Sequence, residues 1–237
     1  MNFESLLQYI QTTPLTWLIV TLSSFKLGII IYNKSNKNTL LQPIIVAYII
    51  ILSLVYITNT SYEEYFKGVE IIHFFLGAAT VALALPLYKN LVYIKSLFFP
   101  IFITLFIGSF STVIITITIL WLFDANILTI LSMTTKSITA PIAIITSKEI
   151  GAIPSLAIGF VIITGIIGAV FGTTIFKIIN IKNDTSQGFA LGLISHGIGT
   201  AKAVEISEKA AAFSALAMGL NGIFTAILLP IILSFFK

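Results

Sequence analysis

The 237-residue chain is 57% hydrophobic and only 9% charged, and its 13 basic residues, all lysine, against 9 acidic ones leave a net charge of +4. A soluble domain is about a quarter charged, and no single core of this size hides so much apolar surface, which excludes an ordinary soluble enzyme. The lysines sit singly between apolar runs, which argues against a nucleic-acid surface, and the absence of cysteine excludes disulfides, thiolate catalysis and cysteine metal sites.

The stretch Met1 to Pro14 carries Glu4, no lysine and no small-residue cleavage site, and does not read as a cleaved signal peptide. Eight hydrophobic segments follow, at about 13–32, 40–58, 69–88, 97–123, 127–147, 153–176, 186–206 and 211–236. A spanning helix needs roughly 20 apolar residues, so the expected fold is an all-α polytopic integral membrane protein, a single domain over 1–237. The clearest loops are 33–39 and 59–68, the latter holding Glu63 and Glu64.

Segments 40–58, 97–123, 153–176 and 211–236 have no charge in their interiors and read as plain spans. Gly168 and Gly172 in the sixth segment form a small-xxx-small pair suited to close packing on a neighbour. Segments 69–88, 127–147 and 186–206 differ, because Gly, Pro, Ser, Thr and charge lie inside them. Thr80-Val-Ala-Leu-Ala, Thr139-Ala-Pro-Ile-Ala and Thr200-Ala-Lys-Ala-Val align without gaps, each with a lysine at the same distance beyond, which suggests internal repeats. If all eight segments cross, Lys34, Lys37, Lys89 and Lys95 share one face and Lys177, Lys182 and Lys237 the other. If one late segment such as 127–147 dips in and returns, all seven share one side. The positive-inside rule mildly favours that arrangement, with that side cytoplasmic and the N-terminus external.

Two stretches place cations inside apolar runs: Leu131 to Pro141, with Lys136, and Ile194 to Lys202, with His196. A lysine at bilayer depth costs from about 3 to more than 10 kcal/mol, and Lys136 lies too deep in its segment to snorkel. It needs an acceptor, a wet cavity or an anionic ligand. Pro141 weakens the first helix, Gly197 and Gly199 the second, and a helix broken at depth offers unpaired N–H groups and a positive end. Lys136, Lys202, His196 and the hydroxyls of Ser137, Thr139, Ser195 and Thr200 then compose a receptor for a small carboxylate.

Structural readings compete at each position. Lys136 can pair with Glu70, Glu149 or Glu205, His196 can be an interhelical donor, and each hydroxyl can bond its own helix. Asn221, in Met-Gly-Leu-Asn-Gly, reads most simply as helix glue. His73 and Lys26 read as structural. There is no H-E-x-x-H, phosphate-binding loop or G-x-S-x-G, so neither enzyme activity nor a cofactor is expected.

The chain resembles the LrgB/CidB family, also called antiholin-like or YohK-type membrane proteins, over essentially its whole length. The resemblance is carried in order by Ser61-Tyr-Glu-Glu-Tyr65, Ala82-Leu-Ala-Leu-Pro-Leu-Tyr-Lys89, Lys136-Ser-Ile-Thr-Ala-Pro-Ile-Ala143, Gly151-Ala-Ile-Pro-Ser155, Ser195-His-Gly-Ile-Gly-Thr-Ala-Lys-Ala203 and Ala217-Met-Gly-Leu-Asn-Gly222. Ala78 and Met133-Thr-Thr depart from it where similar proteins carry proline, which makes a break in the third segment less secure. The resemblance implies a multi-pass protein of the bacterial inner membrane. It also implies one of two functions. One is a carrier of small organic monocarboxylates such as pyruvate, glycolate or glycerate, with Lys136, Ser137, Thr139, Ser195, His196, Gly197, Thr200, Lys202 and Asn221 at the anion site. The other is a holin- or antiholin-like regulator of murein hydrolases, acting with a small LrgA/CidA-type membrane protein. A homo-oligomer is compatible with either.

Overall fold

The computed structural model describes residues 13–36, 38 and 41–234. The stretch before Thr13, Lys37 and the residues from 235 on, including Lys237, lie outside the described residues, and so does the reading of the N-terminal stretch. Among the described residues there are helices and no strand. The chain forms two compact units, Met1–Ala82 and Leu83–Lys237.

The first unit holds α1 (Pro14–Lys34), α2 (Pro43–Ile57) and α3 (Tyr62–Ala82). Proline opens α1 and α2, where its missing N–H and fixed φ cost nothing. Gly28 of α1 lies against the backbone of Pro43; a Cβ there would stand 2.6 Å from the Pro43 carbonyl oxygen. Trp17 and Tyr65 meet edge to face at 5.6 Å, and the Tyr65 and Thr21 hydroxyls are 3.2 Å apart, which ties α3 to α1.

The expected 59–68 loop is shorter than its polarity suggested, because α3 already starts at Tyr62. The reason is a capping box. The Ser61 amide and hydroxyl donate to the Glu64 carboxylate at 2.9 and 3.0 Å, and the Glu64 amide donates back to the Ser61 hydroxyl. Those bonds, the backbone one first, hold the Glu64 carboxyl below its ordinary value. Glu63 and Glu64 therefore belong to the first turn of a helix.

The second unit runs α4 (Ala84–Lys89), α5 (Leu91–Ser96), α6 (Phe98–Leu122), α7 (Ile127–Thr134), α8 (Ala140–Glu149), α9 (Pro154–Ile178), α10 (Asp184–Ile206) and α11 (Glu208–Ser234). Its core joins α6, α10 and α11 through Ile101, Leu105, Phe189, Leu193, Phe213 and Ala217. The short α4 and α5 are clasped to the start of α11: Lys89 pairs with Glu208 at 2.8 Å, and Lys209 sits over the Tyr93 ring at 3.9 Å. Large apolar side chains such as Phe102, Ile107, Ile115, Ile163 and Ile167 point outward, each more than half exposed. An apolar surface on this scale belongs against lipid or another apolar partner.

By length and composition, four described helices can cross a membrane: Leu15–Lys34, Phe98–Leu122, Pro154–Ile178 and Glu208–Leu233. Pro43–Ile57 is apolar but shorter. The eight expected segments are thus not eight such helices: the second is too short, and backbone chemistry interrupts the third, fifth and seventh. The third segment is unbroken up to Ala82 and is interrupted at Leu83, where Pro86 falls in the first turn of α4. The fifth divides into α7 and α8 around residues 135–139. The seventh is kinked at His196, whose φ of 42° and ψ of −129° leave the helical region. Gly197 and Gly199, expected to supply that break, are helical; the kink falls on the residue before them. The three threonines of the expected repeats consequently occupy different settings: inside α3 for Thr80, at the N-cap of α8 for Thr139, and beyond the kink for Thr200.

Around both breaks the chain spans far less than a straight helix would. The amide of Ile153, the N-cap of α9, donates to the Ser132 hydroxyl at 3.0 Å, joining the start of α9 to the last turn of α7, although a straight helix would separate those positions by about 30 Å. In α10, Leu191 and Ala203 share one buried cluster, where a straight helix would hold them about 18 Å apart, and Gly199 lies against the Leu191 carbonyl.

Close approach of the elements depends on glycine. A Cβ at Gly188 or Gly192 of α10 would collide with the carbonyl oxygens of Ala210 or Ser214 on α11. On α9, a Cβ at Gly165 would stand 2.8 Å from the His196 ring, at Gly168 it would overlap the Ser195 hydroxyl, and at Gly172 it would lie 2.9 Å from Leu191. The expected packing of Gly168 and Gly172 is therefore present, and α10 fills it. Gly192→Ala should lower the melting temperature of the purified protein, at a cost of about 1–3 kcal/mol for forcing backbones apart. Gly159→Ala and Gly219→Ala, where a Cβ meets open space, should leave it equal or slightly raised; equal behaviour of all three would remove the role assigned to the α10–α11 seam.

Candidate functional site

The two interrupted helices bring most of the candidate residues into one region, and Asn221 of α11 joins them. Its amide nitrogen donates to the Ser137 carbonyl, in the α7–α8 break, and to the Leu193 carbonyl, in the turn before the α10 kink, at 2.9 Å each. Those two oxygens are therefore within about 6 Å of each other. The Asn221 carbonyl accepts from Ser109 of α6 at 2.6 Å and from Thr225 at 3.3 Å. A primary amide has two donor hydrogens and an oxygen with two lone pairs, so protein groups occupy its full capacity. Asn221 is 1% exposed and acts as a cross-brace.

The α7–α8 break carries Lys136 and Ser137. Lys136 is half-buried, and its ammonium donates to the Thr116 hydroxyl of α6 at 2.7 Å. Thr116 directs its own proton to the Thr112 carbonyl at 2.6 Å, which leaves its lone pairs for the ammonium. Glu149 and Glu205 do not pair with Lys136: among the described residues of this unit the ion pairs are Lys89–Glu208 and Lys202–Glu205. Glu70 belongs to the first unit. Thr139 caps α8 without a side-chain hydrogen bond, and Pro141 stands in the first turn.

At the α10 kink, the His196 ring is 5% exposed, and its Nε2 lies 2.9 Å from the Val161 carbonyl of α9. A carbonyl only accepts, so Nε2 carries the hydrogen. Thr200 donates to the His196 carbonyl at 2.9 Å and lies 3.0 Å from the Ser214 hydroxyl of α11. A non-glycine residue at such φ and ψ costs on the order of 1–3 kcal/mol, and these contacts with the Gly165 face hold it there.

Among the described residues, two buried hydroxyl oxygens, those of Ser137 and Ser195, have no hydrogen-bond partner. One lies in each break. Ser195 also borders a cavity of about 250 Å³ between α9 and α10, lined by Thr164, Gly168, Gly172 and Ile194 among others. A buried hydroxyl without a partner carries a desolvation penalty of about 1–3 kcal/mol, which a visiting acceptor or water relieves.

Lys202 departs from the expected arrangement. It is 8% exposed, and its ammonium is matched by Glu205 one turn on, at 2.7 Å. Gly197 offers open space where a side chain would project. The two lysines are thus in different electrostatic states, Lys202 compensated by a carboxylate and Lys136 solvated by a hydroxyl. Sequence reasoning missed Ser109, Thr116, Ser132 and Ser214, since single hydroxyls in apolar helices carry no signal of their own. The Gly188-x-x-x-Gly192 spacing was a readable signal of the tight α10–α11 seam. Among the described residues no three His, Asp or Glu side chains group as a metal site would require.

Asn221→Leu should strip partners from two carbonyls and the Ser109 hydroxyl at once. The expected loss is several kcal/mol, read as a lowered unfolding midpoint in detergent. Asn221→Asp, which turns an oxygen toward those same carbonyls, should be at least as damaging; a wild-type midpoint in both variants would refute the cross-brace.

Comparison with known proteins agrees with the motifs. The LrgB-like family profile matches residues 21–235. A holin-like protein CidB of Staphylococcus epidermidis is 33% identical over 216 residues, covering 89% of this chain and 94% of its own. An antiholin-like protein LrgB of Bacillus cereus is 29% identical over 223 residues, covering 94% of this chain and 97% of its own. No solved structure matches. On the extent of the family match alone, running through both units, the chain belongs to the LrgB-like family.

Proposed function

We propose that the chain is a multi-pass membrane carrier, or the larger subunit of a two-component carrier, for small organic monocarboxylates such as pyruvate, glycolate or glycerate. The observation that carries this reading is the Lys136 ammonium, half-buried at a helix break, bonded to a hydroxyl and matched by no carboxylate among the described residues of its own unit. An uncompensated cation in an apolar setting is costly, and a carboxylate that visits it removes that cost. Ser137 and Ser195 supply unpartnered donors in the two breaks. A broken helix adds the positive end of α8 behind Thr139.

Within this reading Lys136 binds the substrate carboxylate, while Ser137, Ser195 and Thr139 orient it. Thr200, His196 and Asn221 hold the breaks in place. Lys202 stays with Glu205. His196, with Nε2–H engaged by Val161, keeps Nδ1 for proton exchange. No covalent chemistry is required of any of them.

A second reading rests on the names of the relatives, holin-like CidB and antiholin-like LrgB: a membrane regulator of lysis, working by contact with a small LrgA/CidA-type membrane protein. Reconstitution separates the two. Radiolabelled pyruvate, glycolate or glycerate should accumulate in proteoliposomes containing the wild-type protein, with that small partner added if uptake requires it. Lys136→Ala should reduce uptake by about tenfold to a hundredfold, the worth of one charge-assisted bond, with normal insertion and yield. Undiminished uptake by Lys136→Ala would remove the role given to Lys136, and no uptake by any preparation would favour the regulatory reading.

A further inference from the structure

The long apolar α6 reads from its sequence as a plain span, yet the face it buries changes character along its length. Ile101 and Leu105 join the apolar core, whereas Ser109 and Thr116, farther along the same face, are buried hydroxyls at 3% and 5% exposure. Each reaches a broken helix or its brace. Ser109 donates to Asn221 at 2.6 Å, and Thr116 accepts from Lys136 at 2.7 Å. Thr112, between them, accepts the Thr116 proton on its carbonyl and donates its own to the Ser109 carbonyl at 2.8 Å.

We infer that Thr116 is a positioning residue that holds the Lys136 ammonium at the α7–α8 break with its charge uncancelled, so that α6 forms a third wall of the anion site. The inference rests on the carrier reading above and deepens it. The chemistry turns on what Thr116 is not. A buried lysine is ordinarily secured by a carboxylate, which fixes its position and neutralises it in one step. A threonine whose proton is already committed fixes the ammonium through a lone pair and leaves the full positive charge for an outside anion. Simple accommodation of a buried lysine would be served as well or better by an acid at this position, whereas an anion site would be destroyed by it.

The test measures the upward shift in melting temperature of the detergent-solubilised full chain as pyruvate, glycolate or glycerate is added, since a ligand that binds the native state stabilises it. Wild type and Thr116→Ser are expected to respond over the same concentrations. Thr116→Val should need about tenfold more anion, the loss of one orienting bond. Thr116→Asp should melt no lower than wild type without ligand, yet show no response to any of the three anions. Anion responses like wild type in Thr116→Asp or Thr116→Val, alongside a lost response in Lys136→Ala, would overturn the role of Thr116 and leave the carrier reading standing. If Thr116→Asp does not fold, Thr116→Val against Thr116→Ser decides by the same criterion. Absence of any response in the wild type, together with no uptake in liposomes, would overturn the carrier reading itself and this inference with it.

Discussion

A single buried amide holds the second unit in its working shape. Asn221 donates to one carbonyl from each interrupted segment and accepts from a hydroxyl on α6. Breaking a helix in apolar surroundings frees backbone groups that neither lipid nor side-chain methyls can satisfy. One asparagine on an unbroken neighbour meets that need at both breaks and fixes their separation in doing so.

The breaks themselves are possible because the neighbouring helices leave room. Gly165 and Gly168 on α9 admit the His196 ring and the Ser195 hydroxyl, while Gly188 and Gly192 let α10 lie backbone to backbone against α11. The strained backbone at His196 is held by what surrounds it: the Val161 carbonyl on one side, and Thr200 with Ser214 on the other. Strain, glycine seam and amide brace are thus one arrangement, and loosening any of them frees the others.

The membrane class, the approximate places of the interruptions and the two stretches that carry cations were legible in the sequence, because apolar length and charge within it report directly on solvation. Pro141 correctly marked the α7–α8 break. Gly197 and Gly199 marked the α10 kink only approximately: a glycine signals permission to bend, and tertiary contacts decided that His196 takes the bend. The capping box at Ser61 and Glu64 was present as a spacing but was masked by the polarity of its surroundings. Least legible were the pairings. That Lys202 finds Glu205 while Lys136 finds Thr116 depends on which faces α6 and α10 present to their neighbours, and no local pattern records that.

The kink in α10 also has an electrical consequence. Each of its arms has about ten to twelve helical residues, roughly 15–18 Å in length, about half the thickness of a hydrocarbon layer. If those arms enter the layer from its two faces, an anion held at the proposed site would have crossed about half of any transmembrane voltage, worth on the order of 1 kcal/mol for each 100 mV. Occupancy of the proposed site is then unequal from the two sides of an energised membrane. With the inside negative, loading from outside works against the voltage and loading from the cytoplasm works with it. One companion cation or proton travelling inward would cancel that bias, and a second would reverse it.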